Sequence, residues 1–74
     1  MERNETIYET AKFFKDRKDS VHITLTTGKW FNGIIEFLPE TKDRLVLKEE
    51  KFGIMLILFE RIADDGIVKR EVRV

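Results

Sequence analysis

The chain has 74 residues, no cysteine, a single histidine, and 14 basic side chains against 14 acidic ones. That composition excludes disulfides, thiolate metal centres and a histidine-built zinc site. Zero net charge also argues against a polyanion binder acting by bulk charge and against a polybasic membrane anchor. One domain spanning 1–74 is expected, and a domain this small buries only about 60% of its unfolded surface. Without disulfide or metal, oligomerisation is the expected staple.

No apolar run approaches the ~20 residues of a membrane span and no signal peptide is evident. The expectation is a soluble, cytoplasmic protein without membrane contact. No nucleophile and base pair can be assembled from one serine (Ser20), one histidine (His22) and no cysteine, and no glycine loop cradles a phosphate. A non-catalytic protein needing no cofactor or metal is expected.

In chain order, a helix comes first, over about 6–18. Thr6 and Glu9 have the spacing of a capping box. Ile7, Ala11 and Phe14 fall on one helical stripe, with Phe13 beside it. Lys12, Lys15, Arg17 and Lys18 gather toward the C-terminal end, where cations suit the helix dipole. Asp19-Ser20 ends the helix.

The period then changes to two. Val21, Ile23 and Leu25 alternate with His22, Thr24 and Thr26, a strand pattern. Thr27-Gly28 makes a turn. In the second strand Phe31, Gly33, Ile35 and Phe37 share one parity, while Trp30, Asn32, Ile34 and Glu36 share the other. Gly33, inside a strand, marks a bend or a close backbone approach. Pro39 stops this strand and residues 40–43 form a polar loop.

Leu45-Val46-Leu47 opens a third strand, and Glu49 to Gly53 is a charged connection. Residues 54–59 form a fourth strand that is apolar on both parities. A barrel of this size has one interior, so the second face of that strand needs the helix, a neighbouring subunit, or both. Asp64-Asp65-Gly66 is a tight-turn signal. Ile67, Val68, Val72 and Val74, interleaved with Lys69, Arg70 and Arg73, form the last strand. The six phenylalanines are expected mostly in the core. One helix followed by five short strands predicts a mostly-β domain built as a small antiparallel barrel.

The spacing Val21-x-Ile23-x-Leu25-x-x-Gly28-x-x-Phe31-x-Gly33-x-Ile35 resembles the first signature of Sm-like proteins. The preceding helix and the phrase SVHITLTTGKWFNGIIEF are most similar to the Hfq-like branch of that family. DRLVLKEE is similar to the family's third strand, and the resemblance covers about residues 7–62. It implies a strongly bent, five-stranded SH3-like barrel (the Sm fold) capped by the helix. Subunits would join through strands four and five into a homo-oligomeric ring of six or seven. It further implies binding of single-stranded RNA.

Mapped onto this chain, the resemblance implies that Thr24, Gly28, Lys29, Trp30 and Asn32 line one RNA-binding face. Trp30 there either stacks a base or covers a barrel end or subunit contact. Lys15, Arg17 and Lys18 align with a basic rim that contacts RNA backbones, and their alternative is a solvated helix end. Lys42, Arg44 and Arg61 form a third candidate set, with local salt bridging as the alternative. The chain also departs from the family. Arg44 and Asp43 stand where an Asn and a Met hold uracil, the Arg-Gly of the second signature is missing, and Glu60 replaces a basic pore group. A competing reading is a small SH3-like oligomeric scaffold for protein–protein interaction that binds no RNA.

Overall fold

The structure is a computed structural model, and it describes residues 2–70. Its elements are α1 (Arg3–Arg17), β1 (Val21–Leu25), β2 (Trp30–Phe37), β3 (Arg44–Glu49), β4 (Gly53–Leu58), a 3-10 turn (Phe59–Arg61) and β5 (Ile62–Lys69). The five strands form one antiparallel sheet in the order β4-β3-β2-β1-β5. Strands β4 and β5 are therefore its two edges, although only the 3-10 turn separates them in sequence. The expected helix and five-stranded, mostly-β architecture are present. Val72, Arg73 and Val74, assigned from sequence to the last strand, lie outside the described residues.

The helix buries the stripe that its period dictates. Ile7 and Ala11 are in the core and Tyr8 and Phe14 pack partly against it. The helix begins three residues earlier than Thr6, with Glu2 as N-cap and no side-chain cap hydrogen bond. Thr6 lies inside it: its amide donates to the Glu2 carbonyl at 3.3 Å and its carbonyl accepts from the Thr10 hydroxyl at 3.0 Å. The capping box thus yields to a tertiary anchor. Arg3 pairs with Asp64 at 2.9 Å and donates to the carbonyls of Phe59 and Ile62. Tying the first turn to the start of β5 makes helix there, where local capping alone does not. At the other end Lys18 takes the left-handed conformation at φ 57°, and its amide and that of Asp19 close onto Lys15 and Phe14 carbonyls.

One face of the sheet carries the core. Val21, Ile23, Leu45, Leu47, Phe59 and Ile62 are fully enclosed, with Ile35, Ile57 and Ile67 beside them. Each such side chain contributes about 1.5–3 kcal/mol through burial. Gly33 sits mid-strand between β1 and β3, paired with Val21 and Glu49. A Cβ there would lie 2.1 Å from the Lys48 carbonyl oxygen, so only glycine permits this approach.

Two irregularities alter the expected parity. Between Ile35 and Phe37 the β2–β3 register slips. Phe37 is thereby turned to solvent and Leu38 takes a buried place instead. Asp64-Asp65-Gly66 does not join two strands. It lies within β5, where the register steps from Ile23↔Ile67 to Leu25↔Ile62. Residues 63–66 bulge out, with Asp65 at φ 55°. Bulges commonly sit at sheet edges, where they bend the strand.

The aromatic expectation also needs correcting. Of the six phenylalanines only Phe59 is fully buried, within the 3-10 turn rather than in β4, while Phe13, Phe37 and Phe52 are exposed. The outer face of β4 stays uncovered in the single chain, with Ile54 at 67% and Leu56 at 57% exposure. Among the described residues, no helix is long and apolar enough to cross a membrane, and no cluster of ligating side chains could hold a metal ion.

Candidate nucleic-acid interface

The β1–β2 hairpin builds the most open aromatic site. Leu25 and Lys29 bracket its turn, the Leu25 amide donating to the Lys29 carbonyl at 2.7 Å, and Gly28 supplies φ 91°. Antiparallel register places His22 opposite Asn32 and Thr24 opposite Trp30. Because alternate residues share a face, these four project together on the side away from the core. Of the candidates named from sequence, Thr24, Trp30 and Asn32 thus share this face, with Gly28 and Lys29 at the adjoining turn.

Trp30 is 56% exposed. Its indole lies 5.3 Å from the His22 ring, tilted by 32°. His22 is held in turn by Asn32, Nδ1 donating to Oδ1 at 2.7 Å. The ring is therefore braced on one side while much of its surface remains open to solvent. From sequence His22 is one of the polar residues that alternate with Val21, Ile23 and Leu25; its place beside Trp30 is set by a cross-strand pairing.

A second exposed aromatic reaches the same region from the β3–β4 turn. Residues 50–52 form a three-residue loop, and Gly53, which opens β4, takes φ 80°, a left-handed conformation that glycine adopts without strain. Buried Glu49 staples this loop, its Oε2 accepting from the amides of Lys51 at 3.1 Å and Phe52 at 3.0 Å. Phe52 is left 71% exposed, with its edge toward Phe31 at 6.3 Å. The visible signal for Phe52 was a large aromatic in an otherwise charged turn, which the expectation of a mostly buried aromatic set obscured.

The other candidates lie elsewhere. Lys15, Arg17 and Lys18 are at the end of α1, where Arg17 pairs with Asp19 at 2.8 Å and sits 5.1 Å over the Phe13 ring. Lys15 and Lys18 have no ion pair among the described residues. Lys42 pairs with Glu5 at 2.8 Å and lies over Tyr8, and this hydrogen bond raises its pKa above the ordinary value. Arg61 is exposed in the 3-10 turn, its carbonyl accepting from Thr26. These residues and the Trp30 hairpin do not form one site within a single chain.

Arg44 forks onto Asp43 at 3.1 and 2.8 Å, while the Thr41 hydroxyl donates to the same carboxylate at 2.7 Å. Those bonds, Arg44 first and Thr41 second, lower the Asp43 pKa from 3.8 to about 2. A depressed carboxyl stabilises the fold above its unfolded value and loses that contribution as pH falls through the folded one. The 39–44 loop is therefore expected to hold at pH 4 and loosen toward about 2. A carboxyl-carbon NMR titration of Asp43 checks this. A midpoint near 4, the ordinary aspartate value, would show that the fork is not maintained in solution.

Compared with protein-family models, curated proteins and solved structures, the chain matches none. The geometry of the hairpin and of its surroundings therefore carries the functional reading.

Proposed function

We propose that this chain is an Sm-like, Hfq-like subunit that assembles into a ring and binds single-stranded RNA without catalysis. The observation that carries the binding role is Trp30: an open indole on the outer sheet face, braced by His22 and Asn32, next to Lys29. An aromatic platform of this kind stacks any base, at about 1–3 kcal/mol per base. The two different sheet edges support the assembly role. Unpaired edges invite strand addition, and head-to-tail pairing of β4 with a neighbour's β5 closes into a ring when the rotation permits.

Titration with short oligo-A and oligo-U at low salt, followed through Trp30 fluorescence and through labelled RNA, tests the binding role. Trp30→Ala is expected to weaken binding about tenfold, within the range for one lost stack. Because the indole is largely exposed, the thermal midpoint should hardly move. A variant that unfolds yet binds normally when stabilised would make Trp30 structural. The scaffold reading has its own support, since Arg17, Lys42 and Arg44 are all spent on local carboxylates. Absence of binding by either oligomer up to about 1 mM, beyond ordinary non-specific affinity, would select it.

A further inference from the structure

Trp30 and Phe52 both line a cavity of about 270 Å³, together with Asn32, Arg70 and the acids Glu49 and Glu50. It adjoins an open groove of about 500 Å³ lined by His22, Asn32, Val68, Lys69 and Arg70. Asn32 and Arg70 belong to both. The two hollows thus adjoin as one cleft, with the Trp30 and Phe52 rings lining the first and Lys69 lining the second.

The chemistry of its walls narrows the occupant. Two exposed rings offer flat apolar faces. His22 occupies the Asn32 carbonyl oxygen, and Asn32, which also carries an amide NH₂, lines both hollows. Lys51 and Lys69 make no ion pair among the described residues. Glu50 binds Arg70 and holds it at the junction of the two hollows, and the other nearby acid, Glu49, spends its Oε2 on backbone amides. Flat rings and two cations without an ion pair, Lys51 and Lys69, match a nucleotide better than an apolar peptide, which would leave those cations without partners.

We propose that this cleft is a nucleotide clamp: Trp30 and Phe52 flank a base of a single strand while Lys69 holds the adjoining phosphate. The proposal rests on the strand-binding role above and adds Phe52 and Lys69 to it. Glu49 acts as a positioning residue, because it fixes the loop that presents Phe52.

The test is fluorescence anisotropy of a short fluorescein-labelled oligoadenylate across a salt series. Phe52→Leu, which keeps an apolar side chain on an exposed turn, is expected to lower affinity about tenfold. Lys69→Gln is expected to reduce the salt slope by about one, for the one lost phosphate contact. Circular dichroism and particle mass of both variants should match the unsubstituted protein. Affinity of Phe52→Leu within about twofold of the unsubstituted protein, less than one stack supplies, overturns the clamp while leaving strand binding intact. A Phe52→Leu particle that dissociates also overturns it, because Phe52 would then be a subunit contact. Failure of the unsubstituted protein to bind removes the parent reading and the clamp together.

Discussion

Gly33→Ala is expected to destabilise the fold by about 3 kcal/mol, the upper part of the usual range for one substitution. Its new methyl would stand 2.1 Å from the Lys48 oxygen, 2.8 Å from the Lys48 carbonyl carbon and 2.9 Å from the Glu49 Cα. All three obstacles are backbone. No side-chain rotation relieves them, so β2 and β3 must separate or β2 must straighten. Small domains hold only about 5–15 kcal/mol in total, which makes this a large fraction. Urea unfolding checks the expectation against Gly28→Ala. At Gly28 a methyl would meet nothing within 4 Å, and the left-handed backbone alone costs about 1 kcal/mol. Equal midpoints for the two variants would mean that the close β2–β3 approach is not a feature of the molecule in solution.

Leu56→Lys is expected to reduce the proposed ring to the single 8.8 kDa chain. Leu56 and Ile54 face outward on an edge strand and are exposed in the isolated subunit. A lysine there can extend into water, so the subunit itself should fold. In an assembly built on the β4 edge the same ammonium would be buried without a partner, at a penalty of several kcal/mol for each interface. Charged edge residues are also a common protection against strand addition. Sedimentation or light scattering is the measurement. The unsubstituted protein should give a particle about six- to sevenfold larger than the chain, the size expected of an Sm-like ring, and the variant a monomer. A monomeric unsubstituted protein would remove the assembly proposal, and an unchanged variant particle would move the interface away from β4.

The elements that were legible in sequence share a physical reason. Ile7, Ala11 and Phe14 repeat with the helical period, and Val21, Ile23 and Leu25 alternate with polar residues, so each pattern admits one solvent-excluding geometry. Pro39 was legible as the stop of β2, which ends at Phe37, because proline has no N–H to give the ladder and restricts the residue before it. Gly33 was legible as a bend or close approach, although its neighbour, the Lys48 carbonyl, was not. The helix start was misplaced because Thr6 and Glu9 fit a local rule while the actual anchor, Arg3, bonds to residues more than 50 positions away. Phe37 was misplaced because one register slip reverses the parity of everything beyond it.

The candidate site divides in the same manner. Trp30 and Asn32 were assigned to one face by alternation alone, and the register bears that out. Lys42 and Arg44 looked available as cations, but folding brings Glu5 to one and a forked Asp43 to the other. His22 looked unremarkable until pairing set it beneath the Trp30 ring, and Phe52 looked like core until the Glu49 staple turned it outward.

By itself, then, the sequence determined the helix stripe, the alternating β1 and β2 faces, the turn glycine and the need for a glycine within β2. All of these are set by periodicity and backbone sterics within a few neighbouring residues. Tertiary structure decided which phenylalanines are covered, where the β5 chain bulges, which cations are spent on carboxylates, and that Trp30 and Phe52 share one cleft. Those outcomes depend on register between strands and on partners distant in the chain, and a one-residue change in pairing reverses them without altering the local pattern.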